Sequence, residues 1–113
     1  MSQKLQPYLQ YRIGKMYCYG MSTEQNYAES FGWFLKSAYA GNKFAQFSLA
    51  NQYYYGNGFY KDKQQALHWY MKVAEQGLPY AAYAVAQMYA NGEAVLQDES
   101  TAQKYYHRHW QAF

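Results

Sequence analysis

The segment 45–77, AQFSLANQYYYGNGFYKDKQQALHWYMKVAEQG, contains both halves of one structural unit. In the first half, apolar side chains recur at the spacing of one helix face, at Ala45, Leu49, Ala50 and Tyr53. In the second half, another apolar face follows at the intervals i, i+3, i+4, i+7 and i+8, formed by Ala66, Trp69, Tyr70, Val73 and Ala74. Glycines at 56 and 77 end the two halves, because glycine accepts the positive φ that closes a helix. The segment therefore predicts two short antiparallel helices.

The same unit recurs before and after this segment at a shift of 36 residues, without a gap. The shift aligns glycine with glycine and tyrosine with tyrosine, as in the triplets Gly20, Gly56, Gly92 and Tyr17, Tyr53, Tyr89. A fixed period of this length indicates a helical repeat array, in which each unit buries its apolar faces by stacking on its neighbours. Such an array offers an extended surface rather than a closed catalytic pocket.

Polar residues mark where the second helix of each unit begins. Asp62 is predicted to cap its helix, and Gln65, three residues later, completes a capping box. The first unit has the same pair, Asn26 and Glu29, whereas the third unit retains only the cap, Asp98. Together with the glycine stops, these signals predict six helices at residues 5–19, 26–40, 44–56, 62–76, 80–91 and 98–112.

Length and composition restrict the class of protein. The 113 residues suffice for one domain with a continuous core, and the aromatic content of 22% argues against disorder. Neither a membrane helix nor a signal peptide is predicted, and the single cysteine, Cys18, favours a reducing, cytoplasmic compartment. The net charge is +3 and the basic residues are scattered along the chain, so direct nucleic acid binding is not expected.

Fifteen positions of the central unit stand at fixed spacing: Ala45, Gln46, Phe47, Leu49, Ala50, Tyr53, Gly56, Gly58, Asp62, Ala66, Trp69, Tyr70, Lys72, Ala74 and Gly77. Together they resemble the Sel-one-like repeat, a relative of the tetratricopeptide repeats. The resemblance implies an all-α fold, an α-solenoid of three 36-residue helix-turn-helix repeats whose six antiparallel helices form a right-handed superhelix. Residues 1–113 are then one domain, with repeats at approximately 5–41, 42–77 and 78–113. It also implies an adaptor that binds proteins, without catalytic residues, cofactor or metal.

The chain departs from the family pattern at a few positions. Phe59 stands where the family prefers valine, Ala94 replaces the second turn glycine, and residues 21–25 show no glycine-valine turn. Trp110 and Phe113 replace small residues at the last helix, which indicates a true terminus or a contact point, including self-association through the C-terminal helix. More loosely, the chain resembles the repeat tail of relaxases from Gram-positive mobile elements.

The first helices carry a largely aromatic stripe besides the one that the core requires. The core stripe is predicted from Leu9, Ile13, Tyr17, Ala45, Leu49, Tyr53, Ala81, Val85 and Tyr89. The additional stripe, predicted to contact a protein or peptide, comprises Tyr8, Tyr11, Lys15, Tyr19, Phe44, Phe47, Asn51, Tyr55, Tyr80, Tyr83 and Gln87. In the simpler interpretation, Tyr11, Phe47 and Tyr83 only pack on the second helices of adjacent repeats.

Other functions have weaker support in the sequence. Tyrosine rings can stack on sugars, which makes glycan binding an alternative, but the stripe is poor in the carboxylates and amides that sugar sites use. His107 and His109 are about 200° apart around a helix and do not form a metal pair. His68 has no acidic residue at three or four positions' distance. All three histidines are interpreted as solvated or structurally satisfied.

Overall fold

The computed structural model describes residues 6–111 and contains, in that range, six α-helices of 13 residues and no strand. The helices are α1 (Pro7–Tyr19), α2 (Tyr27–Tyr39), α3 (Lys43–Tyr55), α4 (Lys63–Glu75), α5 (Pro79–Asn91) and α6 (Glu99–Gln111). The predicted all-α repeat fold is confirmed, and the predicted helix ends differ from the observed ones by one or two residues.

The turn inside each repeat is built in the same way three times. A left-handed glycine ends the first helix, at Gly20, Gly56 and Gly92 with φ of 70°, 74° and 66°. The carboxylate of Asp62 accepts a hydrogen bond from the Gln65 backbone N–H at 3.1 Å, as predicted for the helix cap. The prediction of a capping box was wrong. Such a box needs the Asp62 N–H to donate to the Gln65 side chain, but this N–H donates to the Tyr53 carbonyl at 2.9 Å. Equivalent hydrogen bonds, from the N–H of Asn26 to the carbonyl of Tyr17 and from the N–H of Asp98 to the carbonyl of Tyr89, stabilise the other two turns.

A second kind of turn joins consecutive repeats. Gly41 and Gly77 follow α2 and α4 with φ of 102° and 90°. The next helix then begins either at Asn42, whose side chain accepts from the Ala45 N–H at 2.9 Å, or with Pro79 in its first turn. The Asn42 cap was not predicted. Because both turns are short, every helix lies antiparallel to the one before it.

The helices stack in chain order, each packing on its two neighbours in sequence. The most buried side chains of the resulting core are Phe34, Leu49, Val73, Val85 and Met88. The described residues extend over 48 × 27 × 23 Å, an elongated shape that suits a repeat stack. Two layers of helices thus follow one another along the long axis.

Leu9 does not belong to this core, although the pattern placed it there. Its equivalent in the third repeat, Ala81, is fully buried against Val73 and Ala74 of α4. Leu9 is 43% exposed, since α1 packs on α2 and no helix of the described range precedes it. Burial at this position therefore comes from the preceding hairpin and not from the repeat itself.

The second turn position keeps its backbone conformation in all three repeats. Gly58 has φ of 86°, and the aligned Ser22 and Ala94 have φ of 62° and 64° despite their β-carbons. The first repeat thus retains the turn that its sequence did not indicate. Beside Gly58, the ring of Phe59 stacks on Phe31 of α2, with centroids 4.9 Å apart and planes at 7°. The large residue at 59 therefore anchors this turn to the preceding repeat.

Candidate binding groove

The aromatic stripe forms two rows of rings with different surroundings. Tyr11, Phe47 and Tyr83 each face the second helix of their own repeat, and the closest of these contacts, Tyr83 to His109, has a centroid distance of 5.1 Å. The simpler interpretation was therefore right about packing on a second helix and wrong about its repeat. These rings are only partly covered, and Tyr83 is 42% exposed.

The other row connects consecutive repeats. Phe44 lies 6.0 Å from Tyr11 of the repeat before it, and Tyr80 lies 6.3 Å from Phe47 in the same way. Phe44 and Tyr80 remain 44% and 59% exposed, so each presents much of its ring to solvent after making this contact. The stripe is thus a ladder of rings that crosses both repeat boundaries.

A groove of about 370 Å³ lies between the second and third repeats. Six predicted residues line it: Phe47, Asn51, Tyr55, Tyr80, Tyr83 and Gln87. The sequence interpretation missed five further lining residues: Tyr54, Tyr70, Ala84, Met88 and His109. Tyr70 and His109 come from the second helices α4 and α6, whereas the other lining residues belong to the first helices α3 and α5.

The remaining predicted residues lie outside this groove. Tyr8 and Tyr11 continue the ladder on the first repeat, where the ammonium of Lys15 lies 5.3 Å from the centroid of the Tyr11 ring. Tyr19 stands 66% exposed at the end of α1. Trp110 is 72% exposed on α6 and does not line the groove. Phe113 lies outside the described residues.

Two amides give the groove its polar character. The Asn51 side-chain oxygen accepts a hydrogen bond from the Tyr70 hydroxyl at 2.5 Å, and Gln87 donates through Nε2 to the Tyr83 hydroxyl at 3.2 Å. Burial raises the pKa of Tyr70, with smaller contributions from Tyr55 and Tyr54, so its hydroxyl keeps its proton and remains a donor. With its oxygen engaged, Asn51 offers its NH₂ group to a ligand.

Tyr54, which lines the groove, shares a hydrogen-bonded and ion-paired cluster with Glu93 and Lys63. The Tyr54 hydroxyl donates to Oε2 of Glu93 at 2.5 Å, and Lys63 Nζ lies 3.4 Å from the same oxygen. The hydrogen bond to Glu93, followed by burial, raises the pKa of Tyr54 to about 12. Because these residues belong to α3, the start of α4 and the turn after α5, the cluster joins the second repeat to the third.

His109 lines the groove from α6. Its Nδ1 lies 3.2 Å from the carbonyl oxygen of Pro79, and a hydrogen bond there requires the tautomer with the proton on Nδ1, because a carbonyl can only accept. The aligned Ser37 makes the same contact in the first repeat, donating to the Pro7 carbonyl at 2.6 Å. This alignment of 109 with 37 was the signal in the sequence that could have placed His109 inside its repeat.

Metal ligation and the cysteine thiol are the two kinds of chemistry to consider in residues 6–111. No group of three histidine, cysteine, aspartate or glutamate side chains in that range is arranged to hold a metal ion. Burial raises the pKa of the Cys18 thiol, and a hydrogen bond with Ser30 opposes this in part, so the group stays a protonated thiol near neutrality. Of the helices described, none combines the length and apolar character needed to cross a bilayer.

Comparison with known proteins gives the fold a family. The Sel1 repeat profile matches residues 7–42, 43–78 and 79–108. A Sel1 repeat protein from Oxalobacter formigenes is similar in structure with a TM-score of 0.90 and 31% identity, over 95% of this chain and 44% of that one. A protective antigen present in uropathogenic Escherichia coli strains, displaying an SLR fold, is also similar in structure. Its TM-score is 0.91 and its identity 30%, over 93% of this chain and 22% of that one.

The chain spans less than half the length of either of these structures. No curated protein sequence gives a significant match. Three consecutive profile matches and two structural neighbours at 31% and 30% sequence identity nevertheless agree on the same family. The chain belongs to the Sel1 repeat family.

Proposed function

We propose that this chain is a non-catalytic protein-interaction module that binds a segment of a partner protein in the groove between its second and third repeats. Sel1 repeat proteins are typically interaction modules, and no partner or binding face follows from family membership alone. The observation that supports this particular face is the groove of about 370 Å³, lined mainly by aromatic side chains from two repeats.

Exposed rings are the main source of binding free energy in this proposal. Tyr55 and Tyr80 are 64% and 59% exposed, although rigid aromatic side chains of this size are usually well buried in cores. Covering such rings releases much water at a small entropic cost, since a tyrosine has only two side-chain torsions to restrain. Truncating one anchor of this kind is expected to cost about 2 kcal/mol of binding free energy.

An unbiased peptide selection tests the proposal. A library of random 12-residue peptides displayed on phage is selected against the intact chain and against a Tyr55→Ser, Tyr80→Ser variant. The matched control is Tyr39→Ser, Tyr60→Ser, which removes two tyrosines that are 75% and 85% exposed outside the groove. Circular dichroism establishes that both variants retain the helical fold.

We expect peptides that bind the intact chain and the control, and that bind the groove variant about 30-fold or more weakly, since 2 kcal/mol corresponds to that ratio. Binders that retain their affinity for a folded groove variant would contradict the proposal. A selection that yields no peptide binder of any composition would also contradict it.

A further inference from the structure

We propose that the segment bound in this groove is proline-rich and adopts the polyproline II conformation. This inference rests on the function proposed above and specifies the chemistry of the partner. Three features of the groove support it: the orientation of its rings, the absence of acidic and basic residues from its described lining, and the hydrogen-bond donors that it presents.

The rings of the groove meet at an angle and are not stacked in parallel. Tyr54 meets Tyr55 at 74° and Tyr70 at 60°, and Phe47 meets Tyr70 at 58° and Tyr80 at 46°. Rings at such angles cover less of one another than parallel stacked rings do, and Tyr55 and Tyr80 keep much of their surface exposed. An aromatic face is the negative part of the ring quadrupole, and the C–H groups of a proline ring pack well against it. Aromatic grooves are also the surface on which proline-rich segments are generally recognised.

The charge of the lining argues against acidic, phosphorylated and basic recognition segments. Among the described residues that line the groove there is no aspartate, glutamate, lysine or arginine. An acidic or phosphorylated segment would need arginine or lysine opposite it, and a basic segment would need carboxylates. Glu93 is near, but its carboxylate already accepts from Tyr54 and faces Lys63. A neutral segment is therefore the complementary one.

Hydrogen bonding distinguishes polyproline II from other neutral conformations. Asn51 offers an NH₂ group because its oxygen is engaged by Tyr70, and the exposed Tyr55 and Tyr80 add two hydroxyl donors. A proline-rich segment presents backbone carbonyls to solvent and has few N–H groups, so it needs donors. A helix has its carbonyls satisfied internally, except at its end, and an extended strand would require acceptors for its own N–H groups. The Gln87 side-chain oxygen and the hydroxyl oxygens of Tyr55 and Tyr80 can accept such bonds, whereas the Asn51 NH₂ group can only donate. The Asn51 donor is therefore the group on which the assignment is tested.

The Asn51→Asp variant isolates the donor. A carboxylate at 51 still accepts from the Tyr70 hydroxyl, so the internal hydrogen bond and the fold are retained, while the NH₂ group that would face the ligand is lost. The probe is an acetylated, amidated decaproline peptide, measured by isothermal titration calorimetry beside a ten-residue glycine-serine peptide. Tyr80→Ser tests a ring of the groove, and Tyr60→Ser is the control outside it.

We expect decaproline to bind and the glycine-serine peptide not to bind. Asn51→Asp and Tyr80→Ser should each weaken decaproline binding about tenfold or more, and Tyr60→Ser should leave it within about twofold. If the phage selection returns groove-dependent peptides without proline and decaproline does not bind, the proline assignment is wrong while the interaction module stands. If neither experiment finds groove-dependent binding, both proposals are wrong. Decaproline binding that is unaffected by either groove substitution would overturn the assignment as well.

Discussion

Gly58 lies so close to the backbone of Tyr27 that a β-carbon at position 58 would overlap the Tyr27 carbonyl oxygen and lie 2.6 Å from its carbonyl carbon. Gly58 belongs to the turn after α3, and Tyr27 is the first residue of α2 in the preceding repeat. The same glycine also has φ of 86°, a conformation that disfavours other residues. Position 58 therefore requires glycine for two independent reasons. The left-handed backbone belongs to the turn of its own repeat, whereas the close approach to Tyr27 arises between two repeats.

Gly58→Ala should therefore be strongly destabilising. We expect a loss of about 3 kcal/mol in the free energy of unfolding, from the left-handed backbone and from the overlap with a backbone group that cannot rotate away. Urea denaturation followed by circular dichroism measures it. The control is Gly32→Ala in α2, where a β-carbon meets nothing within 4 Å and alanine should be neutral or stabilising by up to about 1 kcal/mol. Equal stability of the two variants would contradict this account of the turn.

Ala94→Gly should stabilise the protein. Ala94 has φ of 64° at the position aligned with Gly58, so a residue with a β-carbon occupies a left-handed backbone conformation. Removing that strain should raise the free energy of unfolding by about 1 kcal/mol, and the extra backbone entropy of glycine in the unfolded chain should reduce this gain. The Tm should rise by a few degrees. Ala28→Gly, at an exposed site within α2, is the comparison and should lower stability by about 1 kcal/mol. A lower Tm for Ala94→Gly would refute the strain argument.

Gly14→Ala should disturb the core of the first repeat. A β-carbon at Gly14 would lie 2.6 Å from Cδ1 of Phe34, a ring that is only 1% exposed and has little room to move. We expect a loss of about 2 kcal/mol, as is usual for an overpacked core. The cost should shrink when Gly14→Ala is made in a Phe34→Leu background, because the smaller side chain vacates the ring position. Equal costs in both backgrounds would show that the ring is not the obstacle.

Tyr54 links the stability of the groove wall to alkaline pH. Its folded pKa of about 12 lies above the ordinary tyrosine value of 10.0, so the neutral hydroxyl is favoured in the folded state. This contribution is complete below about pH 10, the unfolded pKa, and is lost as the pH rises through 12. Tyr54→Phe should cost about 1 kcal/mol at pH 7, because it removes a partly exposed hydrogen bond to a carboxylate.

The difference between the wild type and Tyr54→Phe should then shrink between pH 10 and 12, measured by urea denaturation at each pH. Comparing the two proteins at the same pH cancels the titration of the other tyrosines. Tyr60→Phe, at an 85% exposed site, is the matched control and should show no difference at any pH. A difference for Tyr54→Phe that grows above pH 10 would contradict the assigned direction of the pKa change.

The candidate site was predictable only in part, and His109 shows one physical reason. Phe47, Asn51, Tyr80 and Gln87 could be placed on one face because all of them belong to first helices, where a period of 3.6 residues relates sequence to direction. His109 lies on α6 and enters the groove only because α6 packs across α5. No periodicity within a helix contains that information.

The sequence by itself determined the six helices and the repeat, since these depend on local signals: helical spacing of apolar residues, left-handed glycines and side-chain caps. It also determined membership of the Sel1 repeat family. Only the tertiary structure decided which aromatic rings form the groove, why Leu9 is exposed while Ala81 is buried, and why Gly58 must approach Tyr27. These features arise from contacts between helices that are separate in sequence, and their geometry depends on how one hairpin stacks on the next.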